Sequence, residues 1–123
     1  MATIKSYSDP QQSKKLSEIL PLESADAFYM VGEKPVDIVP IYGFVTHQHL
    51  REQMAYKRAI PCWSLAALLD IFAKQDFIIK SSERNNEYQY NIDIPIRHCK
   101  IWFSSLLDAA FEMVCWLKEN NKL

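Results

Sequence analysis

The segment Ser104-Ser105-Leu106-Leu107-Asp108-Ala109-Ala110-Phe111-Glu112-Met113-Val114-Cys115-Trp116-Leu117-Lys118-Glu119 reads as a capped helix that is apolar around most of its circumference. Such a helix has to be covered, and that demand constrains what else the chain can build. Steps of about 100° per residue gather Asp108, Glu112, Cys115 and Glu119 on one narrow stripe, with Leu106, Ala110, Met113, Val114 and Leu117 opposite. Ser105 caps the start, and Asp108 three residues on completes an S-x-x-D box that also complements the helix dipole. The predicted helix keeps a thin wet edge, with Cys115 on it as the thiol most open to a probe. The rest is buried, against its own sheet or against another chain.

The cover has to come from the preceding residues. Asp9, Pro10 and Gln12 form a helix-start signal, so a first helix is predicted from there to about Leu20, docking through Leu16, Ile19 and Leu20 and stopped by Pro21. Ala25 to Val31 and Val36 to Tyr42 are β-rich and flank a turn at Gly32-Glu33-Lys34-Pro35, which predicts a hairpin whose second strand is an edge or is broken at Pro40. Thr46 to Arg58 shows only Leu50 and Met54 at helical spacing and reads as a long connection. From Ile60 to Phe72, the spacing of Leu65, Leu68, Leu69 and Phe72 predicts a second helix with one buried face. Phe77 to Lys80, a polar turn from Ser81 to Asn86, and the alternation of Tyr88, Tyr90, Ile92 and Ile94 with Gln89, Asn91 and Asp93 predict two strands. Cys99, Ile101 and Phe103 alternate after Pro95 as a third, making a three-stranded meander. The fold class expected is α+β, a mostly antiparallel sheet with about three helices packed on one face or end, in a single domain spanning 1–123.

Composition narrows function mainly by exclusion. Fifteen acidic against fourteen basic residues leave a net charge of −1, so no global field recruits nucleic acid or an anionic membrane. No apolar run approaches the ~20 residues of a membrane span. Met1 to Pro10 lacks the apolar core of a secretory signal, so the expected compartment is the cytoplasm. Two glycines in 123 residues leave little from which to build a phosphate cradle. No cofactor is expected.

The reactive side chains mostly have plainer readings. His47-x-His49, with His98 and Cys99, lacks the paired second half of a zinc motif, and loop histidines explain it as well. Cys62, at the predicted entrance of the second helix between Pro61 and Trp63, sits where a helix dipole lowers a thiol pKa, yet its apolar neighbours favour packing. Asp70, Asp93, Asp108 and Glu112 lie among apolar residues; capping and the wet stripe account for the last two. Arg51, Lys57 and Arg58, beside Tyr56, form a modest nucleic-acid candidate, as does Arg97-His98 with Lys100 and Trp102. Phe111 and Trp116 are candidates for a partner surface if the last helix stays partly uncovered.

The segments Ile60-Pro61-Cys62-Trp63-Ser64-Leu65-Ala66-Ala67-Leu68-Leu69-Asp70, Asp108 to Glu119, and Ser13 to Asp26 resemble small uncharacterised proteins of bacteriophages and integrated mobile elements of gut anaerobic bacteria. The resemblance covers under half of the chain and brings no reaction, cofactor or site residue. It implies an accessory role. The leading expectation is therefore a non-enzymatic cytoplasmic interaction protein whose partner is an unidentified protein or a second copy, through the last helix or an exposed sheet edge. The alternative is a nucleic-acid-associated regulator using Arg51, Lys57 and Arg58, and the third is a small enzyme with an unrecognised site.

Overall fold

In the computed structural model, which describes residues 5–30, 38–40, 44–56 and 58–123, the chain is α+β and divides into two units. One is Tyr7–Ala67; the other is Met1–Ser6 with Leu68–Leu123.

In Tyr7–Ala67, helix α1 (Pro10–Ile19) begins where the sequence predicts. Gln12 N–H donates to Asp9 Oδ1 at 2.7 Å and Asp9 N–H to Gln12 Oε1 at 3.1 Å, a closed capping box with proline in the first turn. Leu16 and Leu20 are buried, together with Ser13. A 3-10 turn (Leu22–Ser24) leads into a three-stranded antiparallel sheet of order β2-β1-β3, formed by β1 (Ala27–Met30), β2 (Ile38–Pro40) and β3 (Ala59–Cys62). The predicted pairing of β1 with β2 is present, and Pro40 stands on an edge strand; the predicted turn at 32–35 lies outside the described residues.

Central strand β1 is buried on both faces. Ala27 and Tyr29 share one face with Cys62, and Phe28 shares the other with Leu50 and Ala59, as a period of two requires. The second cluster explains the first departure from expectation. The stretch read as a connection is helix α2 (Phe44–Ala55), which lays Leu50 and Met54 over Phe28. It raises the helix count among the described residues to four where about three were expected.

The second departure is that Ile60 to Cys62 belongs to strand β3, so helix α3 (Leu65–Ile71) starts five residues later than predicted. Pro61 is tolerated because β3 is an edge. Between strand and helix, Trp63 is fully buried: its N–H donates to Ser8 Oγ at 3.1 Å, its carbonyl accepts Ser8 N–H at 2.8 Å, and its indole donates to Ser24 Oγ at 2.9 Å. Ser64 Oγ then accepts Ala67 N–H at 3.2 Å, which starts α3.

The other unit is built on α4 (Leu106–Glu119), which packs on strand β5 (Glu87–Asp93). Ser105 Oγ caps α4 by accepting Asp108 N–H at 3.0 Å, as predicted. Leu107, Ala109, Ala110, Met113, Val114, Cys115 and Leu117 are buried. Cys115 therefore lies in the core and not on a wet stripe. The partly open edge runs through Asp108, Glu112 and Trp116, where Lys5 Nζ meets Asp108 Oδ1 at 2.8 Å and Arg97 covers Glu112 and Trp116.

Strand β4 (Ile78–Arg84) pairs with β5 in unbroken antiparallel register, from Ile78↔Asp93 to Arg84↔Glu87. Their connection is Asn85-Asn86, with φ of 52° and 63°. Both residues are left-handed, which asparagine tolerates, and this is the signature of the tight hairpin turn whose twist matches the strands. Ser81 to Arg84 thus belongs to the strand and not to a long turn.

The predicted meander is not completed. Phe103 exchanges both backbone hydrogen bonds with Tyr90 at 2.8 Å, and Arg97 both with Ile94, closing a reversal over Pro95-Ile96. Between these points Cys99 donates its N–H to Asp93 Oδ1 at 2.8 Å and accepts Asn91 Nδ2 on its carbonyl at 2.9 Å. Side chains of β5 capture the backbone groups that a third strand would need for its ladder.

Candidate functional site

The densest chemistry in either unit surrounds Asp93, at the end of β5. Two neighbours are placed by regular structure: Lys80 sits on β4 one pair further along the same face, and Asp93 is opposite Ile78. The others are placed by Pro95, which ends the strand and turns the chain back so that His98 and Cys99 return to the carboxylate. Asp93 Oδ1 accepts Cys99 N–H, while Oδ2 is ion-paired with Lys80 Nζ and lies 3.5 Å from His98 Nδ1. The carboxylate is 5 % exposed and its side-chain partners Lys80 and His98 are much more open, His98 at 79 %. Burial alone would raise the Asp93 carboxyl. Hydrogen bonds from Lys80, Cys99 and His98 outweigh it and hold the group below the ordinary carboxylate range.

This cluster borders a cavity of about 230 Å³ whose apolar wall is Ile78, Ile94 and Pro95, with Asp76 at its rim. Two carboxylates against one ammonium make the mouth a place for a cationic group beside an apolar one. As a proton acceptor Asp93 is poor, because its charge is stabilised and both oxygens are occupied. Its clear chemical effect is to fix the 94–99 reversal against β5.

The sequence-predicted residues are dispersed. His47 and His49 sit on α2, two residues apart, so they diverge around the helix; His47 Nε2 lies 3.2 Å from the Ala25 carbonyl and His49 is exposed. Among the described residues, no group of three or more histidine, cysteine, aspartate or glutamate side chains is placed to hold a metal. Cys62 is buried in β3, where desolvation, with Asp26 adding to it, pushes its thiol up to about 12. A thiol in that state is a packing group. Asp26 itself accepts Ser64 N–H at 2.8 Å and is hydrogen-bonded to Ser64 Oγ.

Of the nucleic-acid candidates, Arg51 is ion-paired with Glu23, Arg58 stands 5.6 Å over the Tyr56 ring, and Lys57 lies outside the described residues. Asp70 is exposed on α3. Phe111 and Trp116 are half-buried on α4, and Arg97 lies 5.1 Å over the Trp116 ring with its guanidinium 3.8 Å from Glu112. No helix among the described residues is long and apolar enough to cross a membrane.

The Asp93 cluster escaped the sequence reading because strict alternation assigns Asn91 and Asp93 to the wet face of β5. Both are buried. The available signal was Pro95 two residues on: a forced reversal leaves backbone N–H groups that need acceptors, and Asp93 stands beside them. No protein-family model, curated protein or solved structure matches this chain, so the site is read from its own chemistry.

Proposed function

We propose that the chain is a non-enzymatic cytoplasmic interaction protein whose recognition element is the β4–β5 ribbon with the segment that follows it. The observation that carries this reading is a concentration of exposed apolar side chains. Ile78 is 62 % exposed, Tyr88 60 %, Ile101 59 %, Ile96 50 % and Ile79 43 %. Exposed hydrophobics scattered singly are ordinary, whereas five between Ile78 and Ile101, on the ribbon and the segment after it, mark a region that binds. The non-enzymatic part is supported by commitment of the enclosed ionisable groups: Asp93 is held by Lys80, Cys99 and His98, and the Cys62 thiol is pushed out of its reactive range. An accessory role in a phage or mobile element is the setting that the sequence resemblance implies. The reading stands ahead of nucleic-acid binding because Arg51 already has its counter-charge in Glu23.

A photo-crosslinking residue placed at Tyr88 or Ile101, with exposed Gln11 on α1 as control, tests it in cells. Protein adducts from Tyr88 and Ile101 but not Gln11 are the expected result. Equal labelling from all three positions would remove the ribbon from the reading, and nuclease-sensitive adducts would transfer it to nucleic acid.

A further inference from the structure

Strand β5 determines which way the backbone of β4 points. Tyr90 spends both its N–H and its C=O on Phe103, on the side of β5 away from β4. Ser81, directly opposite Tyr90, is therefore in a non-hydrogen-bonded pair, and its own N–H and C=O point away from β5. By alternation Ile79 and Glu83 do the same. Among the described residues no strand pairs with this outer edge, and the seven residues Ile78–Arg84 carry no proline or bulge that would blunt it.

Like charges along that edge limit the registers in which it can pair with its own copy. A two-fold axis perpendicular to a sheet keeps every residue on its own face, so an antiparallel pair of identical strands must centre on a residue. Centring on Lys80 opposes Lys80 to its own copy, centring on Ser82 opposes Lys80 to Arg84, and centring on Glu83 opposes Glu83 to itself. Centring on Ser81 opposes no like charges and is the register that pairs the whole strand.

We propose that β4 pairs antiparallel with β4 of a second copy about a two-fold axis at Ser81, giving a continuous sheet β5-β4-β4-β5. The proposal rests on the reading of the ribbon as a recognition element and names its occupant. Ser81 exchanges backbone hydrogen bonds with Ser81 of the second copy, and Ile79 with Glu83, using the outward groups just derived. Arg84 of the second copy comes to lie opposite Ile78, at the mouth of the cavity holding Asp76 and Asp93, where two carboxylates face one ammonium. In each copy Lys80 keeps its partner Asp93, while the Arg84 guanidinium exchanges its place 4.6 Å over Trp102 for the carboxylates of the second copy. Ile78 is covered by the Arg84 stem.

Sedimentation velocity of the full chain across the micromolar range is the first test, with a concentration-dependent dimer expected. Ser81→Lys sets like charges face to face at the axis and should raise the dimer dissociation constant about tenfold or more, while Ser81→Thr retains the dimer. Ser81 is exposed, so thermal melting of the dilute monomer should be unchanged in both variants. Amide hydrogen exchange tests the register: Ile79, Ser81 and Glu83 should slow as concentration rises, whereas Lys80 and Ser82, whose N–H groups face β5, should not. A strict monomer, or a dimer in which those three amides do not slow, overturns the proposal. A monomer that still gives Tyr88 adducts with another protein overturns it while leaving the interaction reading in place.

Discussion

Strands β1 and β4 are both antiparallel, yet they are held in opposite ways. Four-residue β1 has neighbours on both edges and buried side chains on both faces, with Phe28 2 % exposed. Among the described residues, seven-residue β4 has one partner, and Ser82 is its only residue that is not exposed. The short strand exists because distant parts of the chain converge on it. The long one exists because its own neighbours, Asn85 and Asn86, turn the chain back at the right twist. Burial and local geometry are alternative sources of a strand, and only the first leaves nothing over for a partner.

Substitutions can break or sharpen that contrast. Phe28→Ala removes the side chain on which α2 sits and should destabilise by about 3–5 kcal/mol in denaturant unfolding. Tyr88→Ala in the ribbon should stay within ~0.5 kcal/mol, and a cost matching that of Phe28 would end the distinction. Leu50→Ala, fully buried on α2, should cost about 2–4 kcal/mol, with exposed Gln48→Ala close to neutral.

At the base of the ribbon, Asp93→Asn should cost about 1–3 kcal/mol near neutral pH. The sign of its pH dependence follows from the depressed carboxyl pKa: the stabilisation is complete above the unfolded value, about 4, and disappears as pH falls through the lower folded value. Stability of wild type minus variant should therefore be flat above about pH 5 and shrink on acidification. A pH-independent difference would assign the effect to packing instead of charge. The smallest perturbation is chemical labelling. Half-exposed Cys99 should react with a thiol reagent under native conditions, and Cys62 and Cys115 only on unfolding, read by peptide mass spectrometry.

Those elements whose causes are close in sequence were legible there. The caps Asp9 with Gln12 and Ser105 with Asp108 announce α1 and α4 within four residues, and the alternation from Tyr88 to Ile94 announces β5. Helix α2 was hidden because between Thr46 and Arg58 only Leu50 and Met54 stand at helical spacing, too few apolar positions to establish a period. Strand β3 was hidden because Ala59-Ile60-Pro61-Cys62 is extended through pairing with β1, some thirty residues away. At the candidate site, polarity concealed burial: Asn91 and Asp93 look wet in the alternation and are enclosed by the chain that Pro95 sends back over them. Cys115 misled in the reverse sense, since a helical wheel records angle and not what lies across from it.

The turn at Asn85-Asn86 has a consequence in time as well as in shape. A hairpin closed by adjacent residues forms in about 1–10 μs, because almost no chain has to be ordered before its first contacts form. The β1–β3 ladder, from Ala27↔Cys62 to Met30↔Ala59, must first close a loop that contains β2 and α2. Loops of that kind slow folding through the entropy spent before any pairing is gained. Although the ribbon is synthesised after the sheet, it is the faster of the two to zip.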